Sequence, residues 1–146
     1  MLRLARFRHL TWARCRLLLE AGLGLALYKV VLYVVPFRLL APSLGRPMRE
    51  RLTPVNPAQR EIIRQVAWAL EAADRRLPWH SRCLVRAVTA KRMLQRRGLP
   101  STLYLGARRD AERKIATHAW LLAGELPLVG TRGAREYTVL ATFADG

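Results

Sequence analysis

Cys83 and His118 are the two residues whose chemistry and surroundings most favour catalysis. Ser81 is of the type that caps a helix, so Cys83 is predicted to be the second residue of that helix. At this position, exposed backbone amides and the positive end of the helix dipole favour a thiolate, which is the nucleophilic form of cysteine. Arg82 and Arg86 add positive charge nearby. The pattern therefore favours a cysteine nucleophile.

His118 lies downstream of the cysteine in the segment THAWLLA, which is predicted to be a strand. A histidine placed opposite a helix-start cysteine can take the thiol proton and later protonate the leaving amine. A buried structural cysteine and a core histidine fit the same residues. The residues alone therefore leave a catalytic pair and two structural residues as alternatives.

Thr131 is the candidate for the residue that orients His118. A two-residue turn at 124–125 would set His118 opposite Thr131 on the next strand. The threonine hydroxyl can accept a hydrogen bond from the imidazole, although it supplies no negative charge. Glu125 lies on the turn itself, too far away for this role.

Trp79, His80 and Trp120 are predicted to line the cleft around this pair, with Trp79 and Trp120 equally suited to be core residues. A metal site made from Cys83, His80 and His118 is not expected, because it lacks a fourth ligand and any CxxC or HxxxH pair. No glycine-rich phosphate-binding motif occurs, so a nucleotide enzyme is not expected. We expect no cofactor.

Two helices followed by short strands predict an α+β fold. Asn56-Pro57 is typical of a helix start, and the helix at Ser81 is predicted to end before Gly98. The segments after it are short, β-branched or alternating, which is typical of an antiparallel meander. The predicted strands are Thr102–Ala107, Ile115–Ala123, Leu126–Gly130 and Glu136–Phe143.

The N-terminal part is predicted to be helical. Residues 17–35 are long enough to span a bilayer, but Glu20 and Lys29 lie inside them, so a helix packed on the domain is expected rather than a membrane span. Contact with a membrane surface or a partner is the alternative. A secretory signal is not expected, since no small-residue cleavage site follows. Residues 1–50 are therefore predicted as a helical region and residues 51–146 as the catalytic core.

The composition predicts one folded, strongly basic domain. The chain has 146 residues, of which 51% are hydrophobic, and 26 Lys and Arg against 10 Asp and Glu give a net charge of +16. The charge is spread along the chain, so an arm that binds nucleic acid is not expected, although a basic nucleic-acid-binding module is the competing class. Two cysteines are too few for a disulfide framework, which favours a reducing compartment.

Three segments carry a family resemblance. CLVRAVTAKRMLQRRGLPSTLYLGARRD from Cys83, THAWLLAGELPLVG around His118, and YTVLATF resemble the transglutaminase-like cysteine peptidases of lasso peptide biosynthesis. The resemblance implies a papain/transglutaminase-like fold in which a helix that begins with the nucleophile precedes an antiparallel meander. It implies that Cys83 is the nucleophile and that His118 is the general base and acid. The family's third member is an aspartate, and this sequence has Thr131 in its place, so the expected orienting residue is either Thr131 or an acid elsewhere, such as Glu125 or Asp110.

The resemblance also implies partners. A peptidase of this kind removes the leader from a precursor peptide during bacterial natural-product maturation. A separate leader-binding protein and a macrolactam-forming cyclase related to asparagine synthetases would act with it in the cytoplasm. No nucleic-acid partner is expected, and membrane contact by the N-terminal helix is not expected. Because the aspartate is missing, a catalytically impaired transglutaminase-like scaffold is the alternative.

Overall fold

The computed structural model describes residues 12–47 and 54–145, which form four α-helices and a five-stranded antiparallel sheet. The helices are α1 (Trp12–Val34), α2 (Phe37–Leu40), α3 (Pro57–Arg76) and α4 (Cys83–Arg96). The strands are β1 (Arg46–Pro47), β2 (Thr102–Arg109), β3 (Ile115–Ala123), β4 (Leu126–Val129) and β5 (Thr138–Ala144). Short 3-10 turns lie at Ala41–Leu44 and Ala134–Glu136.

The start of α3 confirms the prediction made from Asn56-Pro57. The side chain of Asn56 accepts a hydrogen bond from the amide of Gln59 at 2.8 Å, and the side chain of Gln59 accepts one from the amide of Asn56 at 3.2 Å. This reciprocal capping satisfies amides that a helix start would otherwise leave unpaired. The helix buries one face, which carries Ile63, Val66, Ala69, Leu70, Ala72 and Ala73.

The start of α4 differs from the prediction. Arg82 occupies the cap position without a side-chain cap bond, and Cys83 is the first residue of the helix rather than the second. Ser81 does not cap the helix, since its side-chain oxygen Oγ has no hydrogen-bond partner among the described residues, and its amide donates a hydrogen bond to Oδ1 of Asp74 at 3.3 Å. The predicted end is confirmed, with Gly98 in the left-handed region at φ +68° just beyond the helix.

The sheet order is β1-β5-β2-β3-β4. Strands β2, β3 and β4 form the predicted meander, but β5 does not continue it beside β4. Instead, β5 returns to the other edge of β2, where Leu103 pairs with Phe143. Sequence patterning predicts that a segment is a strand but does not identify its neighbour, because strand pairing is a long-range property.

The turn between β3 and β4 confirms the predicted pairing of Ala123 with Leu126. The register then shifts between Leu121 and Leu122, and Leu121 pairs with Val129. An irregularity of this kind changes which residues face each other further along the ladder. Because β4 also ends at Val129, Thr131 has no ladder partner, and the predicted pairing of His118 with Thr131 is wrong.

The core lies between one face of the sheet and the helices. Helix α4 packs on β2, β3 and β4, and α1 packs on α3 and α4. From β3, the residues Ala119, Leu121 and Ala123 enter this core. Since side chains alternate along a strand, His118 and Trp120 lie on the opposite face.

Helix α1 buries Leu17, Ala21 and Leu25 against the domain. By length and composition alone, it is also long and apolar enough to cross a membrane, a test that core helices and signal sequences pass as well. Its outward face is apolar and carries Trp12, Leu19, Leu23, Leu27, Val30, Tyr33 and Val34.

Candidate functional site

Cys83 begins α4 and is half-buried against the core. The Arg82 side chain, which stands at the cap position, does not cap the amides of the first turn next to the thiol. Of the two arginines expected to support a thiolate, Arg86 has its Nε 3.8 Å from Oδ2 of Asp74. This acidic neighbour offsets part of the positive charge that the local sequence suggested.

His118 is half-buried, and one edge of its ring is fixed by the backbone. Its Nε2 lies 2.6 Å from the carbonyl oxygen of Gly130. A carbonyl oxygen can only accept, so Nε2 carries the proton and donates it. In the neutral imidazole, Nδ1 is then the nitrogen with a free lone pair. The arrangement thus defines Nδ1 as the atom able to accept a proton.

Gly130 is required at this position by its backbone. Its φ is +69°, in the left-handed region that glycine adopts at little cost, and a Cβ there would lie 2.5 Å from the carbonyl oxygen of Ala119. A larger residue would push the Gly130 carbonyl away from the imidazole. Gly130 was not among the residues predicted from the sequence. A glycine directly before Thr131, the predicted orienting residue, was nevertheless a sign of an unusual backbone conformation there.

Thr131 is half-buried and makes no hydrogen bond to His118 in the described part of the chain. Its carbonyl oxygen accepts a hydrogen bond from the amide of Ala134 at 3.2 Å, which begins the connection to β5. The contact that orients the imidazole therefore comes from the residue before Thr131.

The second support of the histidine is a layer of aromatic rings. The His118 ring centroid is 5.9 Å from that of Trp120 and 5.0 Å from that of Tyr137. Trp120 is itself stacked on Tyr104, with centroids 5.4 Å apart and an interplanar angle of 2°. These contacts hold the ring plane and restrict its rotation. Tyr137 lies in a segment that sequence analysis treated only as a strand.

Gly106 makes room for this layer. It pairs with His118 across β2 and β3, and a Cβ there would lie 2.8 Å from the Trp120 ring and 2.9 Å from Cβ of Tyr137. A side chain at this position would force the rings apart. The sequence offered one indication of this role, since an isolated glycine inside a strand, such as Gly106, often marks a place where other groups approach the backbone closely.

The structure does not bring Cys83 and His118 into hydrogen-bonding contact within the residues it describes. Cys83 borders the core that Ala119 and Leu121 enter, whereas the His118 side chain projects from the other face of β3. Each residue of the predicted pair is positioned by its own set of neighbours.

The other predicted cleft residues separate into two places. Trp79 and His80 line a cavity beside the start of α4, and the ammonium group of Lys29 lies 4.1 Å from the Trp79 ring centroid. Trp120, by contrast, is only 7% exposed and belongs to the layer around His118. Only Trp79 and His80 therefore lie beside the start of the helix that carries the cysteine.

The residues in 12–47 and 54–145 contain no group of three or more His, Cys, Asp or Glu side chains able to hold a metal ion. The groups at the candidate site that can take part in acyl transfer are the thiol, the imidazole and the backbone amides at the start of α4.

Comparison with known proteins gives one match. A sequence model of the transglutaminase-like superfamily, which includes cysteine peptidases, matches residues 31–142. No curated protein and no solved structure matches the chain significantly. The matched range contains both Cys83 and His118, together with α3, α4 and strands β2 to β4. This chain belongs to the transglutaminase-like superfamily.

Proposed function

We propose that this chain is a cysteine peptidase that removes the leader from a lasso peptide precursor in the bacterial cytoplasm. The observation that carries the proposal is the hydrogen bond from Nε2 of His118 to the Gly130 carbonyl, which leaves Nδ1 free to act as a base. Membership in a superfamily that includes cysteine peptidases supports the same chemistry. The leader specificity rests on the resemblance of the segments around Cys83 and His118.

In the proposed reaction, Nδ1 of His118 takes the proton of the Cys83 thiol, and the thiolate attacks the scissile carbonyl. Backbone amides at the start of α4 stabilise the oxyanion. The imidazolium then protonates the leaving amine, which is the new N-terminus of the core peptide, and an acyl-enzyme remains. Water, deprotonated by His118, attacks the thioester, and the leader leaves with a free carboxylate while the thiol is restored.

This mechanism requires Cys83 and His118 to approach each other in the substrate complex. Catalytic hydrogen bonds are often long or poorly aligned before substrate binds. Here Cys83 also packs on the core side of β3 while the His118 side chain projects from its other face, so substrate binding must move β3 or the start of α4. We propose that a separate leader-binding protein delivers the precursor, and that a cyclase related to asparagine synthetases consumes the freed core peptide.

The alternative is a transglutaminase-like scaffold with impaired catalysis. Two observations favour it: Cys83 and His118 share no hydrogen bond, and Thr131 stands where the resembling family has an aspartate. Thiol reactivity separates this alternative from the peptidase, because an activated thiolate reacts with electrophiles below the ordinary cysteine pKa of about 8.5.

The first experiment measures alkylation of each cysteine by iodoacetamide from pH 5 to pH 9, followed by mass spectrometry. Cys15 is also half-buried and serves as the internal control. We expect Cys83 to react faster than Cys15 at low pH and to lose this advantage in His118→Ala. If both cysteines titrate alike in the wild type, the scaffold alternative is favoured.

The second experiment measures leader removal from the precursor in the presence of the leader-binding protein. We expect Cys83→Ala to abolish cleavage and His118→Ala to reduce it at least about 100-fold, the usual contribution of a general acid–base group. Cys15→Ala is the matched control and should cleave normally. Normal turnover by Cys83→Ala would contradict the proposed nucleophile.

A further inference from the structure

The side of α1 that faces away from the domain carries a row of exposed apolar side chains. Leu17, Ala21 and Leu25 face the core and are buried. On the opposite side of the helix, large apolar residues recur every three or four positions, and each is more than half exposed: Leu19, Leu23, Leu27, Val30 and Val34. We call these five residues the α1 stripe. Packing on the domain, which the sequence favoured, therefore occupies only one side of the helix.

The α1 stripe has the features of a surface that contacts lipid. It extends over about 22 Å of the helix, and a continuous apolar patch, unlike single exposed residues, marks an interaction surface. Trp12 and Tyr33 lie near the two ends of the helix and are 79% and 91% exposed. These two residue types favour the boundary between lipid chains and headgroups, because each ring has an apolar body and a polar edge.

The charge around the stripe favours a negatively charged occupant. Helix α1 contains one acid, Glu20, whose carboxylate accepts two hydrogen bonds from Arg97 at 2.7 and 3.0 Å. Its basic residues are Arg14, Arg16 and Lys29, and the whole chain has a net charge of +16. A lipid surface with anionic headgroups complements both this charge and the apolar stripe. A second copy of the chain would bring the same positive charge and be repelled.

The packing of α1 sets its orientation at such a surface. The helix packs on α3 and α4, and Glu20 is bound to Arg97 directly after α4. If α1 crossed a bilayer, its buried face would leave the core, and Glu20 would enter the hydrocarbon without Arg97, which is costly. Only the outward side is available to lipid. A helix in this situation lies in the plane of the interface, with its apolar side inserted about 5–10 Å.

We propose that the α1 stripe binds the surface of an anionic phospholipid membrane, with α1 parallel to that surface and the rest of the domain on the aqueous side. In an isolated amphipathic helix a charged face completes the polar side. Here the domain covers that side instead. The inference is independent of the proposed peptidase function, since it involves neither Cys83 nor His118.

The first test measures co-sedimentation of the full chain with lipid vesicles. One set contains phosphatidylglycerol and phosphatidylcholine, and the other contains phosphatidylcholine alone. The chain should bind the anionic vesicles at least about tenfold more tightly. This preference should shrink as the salt concentration is raised to about 1 M, because the Debye length then falls to about 3 Å. Absent binding, or equal binding to both sets, would overturn the proposal.

Two substitutions provide a matched pair for the contribution of the stripe. Leu23→Gln and Leu140→Gln replace the same residue type at similar exposure, 70% and 67%, but Leu140 lies on β5. Leu23→Gln should weaken binding to anionic vesicles at least about tenfold, because an inserted leucine leaves water. Leu140→Gln should bind within about twofold of wild type. Equal effects of the two substitutions would show that α1 is not the lipid-binding surface.

The second test measures the depth of the helix in the bilayer. Leu23→Trp places a fluorophore at the middle of α1, and its quenching is compared with that of wild type in vesicles of brominated lipids. Bromine close to the headgroup should quench the added tryptophan more than bromine at the chain ends. The reverse order would overturn the proposed orientation, since a spanning helix puts residue 23 at the bilayer centre.

Sedimentation equilibrium without lipid tests a second copy of the chain as the occupant of the stripe. We expect a monomer, because the like charges repel. A dimer that Leu23→Gln dissociates would overturn the membrane proposal in favour of self-association through the same residues.

Discussion

The imidazole of His118 is held by the main chain of Gly130, with 2.6 Å between Nε2 and the carbonyl oxygen. A carbonyl selects the same tautomer as a carboxylate but carries no full negative charge. The imidazolium formed during the proposed reaction therefore receives less electrostatic stabilisation than an aspartate would provide. Substitutions at Gly130 and at the neighbouring Thr131 should therefore have different effects.

Gly130→Ala should lower the free energy of unfolding more than Gly133→Ala does. Both glycines have positive φ, +69° and +76°, so each alanine pays about 1–2 kcal/mol for the left-handed conformation. Only at Gly130 does the new Cβ also meet backbone, 2.5 Å from the carbonyl oxygen of Ala119. Urea unfolding measures the difference, and equal losses in the two variants would contradict the observed close approach.

Thr131→Ala should retain the reactivity of Cys83 within about twofold, since the threonine side chain does not orient the imidazole. Thr131→Asp puts a carboxylate one residue after the Gly130 contact and should raise activity, because added negative charge in this region favours the imidazolium. The measurement is the pH dependence of iodoacetamide labelling of Cys83, accompanied by leader cleavage. A large loss in Thr131→Ala would show that the hydroxyl has a role that the Gly130 contact does not explain.

Glu20→Gln should weaken the attachment of α1. Arg97 donates two hydrogen bonds to the Glu20 carboxylate, at 2.7 and 3.0 Å, and these hold the pKa of Glu20 below its usual value. The carboxylate therefore contributes stability above pH 4.5, and this contribution is lost as the pH falls through its folded-state pKa. We expect a loss of about 1 kcal/mol at pH 7 that is smaller at pH 3. Urea unfolding of wild type, Glu20→Gln and the exposed control Glu71→Gln at both pH values checks this.

Lys91→Met should be strongly destabilising. The ammonium group is fully buried and donates to the carbonyl of Ser101 at 2.7 Å and to Oδ2 of Asp145 at 3.0 Å. Removing one partner of a buried ion pair costs about 3 kcal/mol. Adding Asp145→Asn should recover part of this loss in urea unfolding. If the variant with both substitutions is no more stable than Lys91→Met alone, the unpaired charge on Asp145 is not the cause of the lost stability.

The same lysine gives a pH dependence of defined sign. Burial lowers the pKa of Lys91, so below the ordinary lysine value of 10.5 the unfolded chain binds more protons than the folded one. The stability difference between wild type and Lys91→Met should therefore grow as the pH rises toward 10.5. A difference that shrinks over this range would contradict the direction of the shift.

Features set by neighbouring residues were predictable from the sequence. The cap at Asn56, the glycine stop at Gly98 and the turn that pairs Ala123 with Leu126 all depend on a few consecutive residues. Such signals act through local hydrogen bonds and allowed backbone angles, so the surrounding fold changes them little.

Features set by distant residues were not predictable. Ser81 was expected to cap α4, but Arg82 occupies the cap position, and the amide of Ser81 donates a hydrogen bond to Asp74 on the previous helix. The shift at Leu121 and the left-handed conformation of Gly130 replaced the expected Thr131 contact with a backbone carbonyl. In each case a tertiary contact competed with a local preference and prevailed.

The position of β5 determines when the histidine environment is completed. This strand follows the other described strands in sequence, yet it pairs on both sides, with β1 and with β2. Until residues 138–144 dock, one edge of β2 stays unpaired and Tyr137, which precedes β5, has no fixed place beside His118. Long-range strand pairing is slow because the chain loses the entropy of loop closure before the stabilising contacts between the strands form. During synthesis, the helices and the β2–β4 meander can therefore form before β5 docks and completes the surroundings of the proposed base.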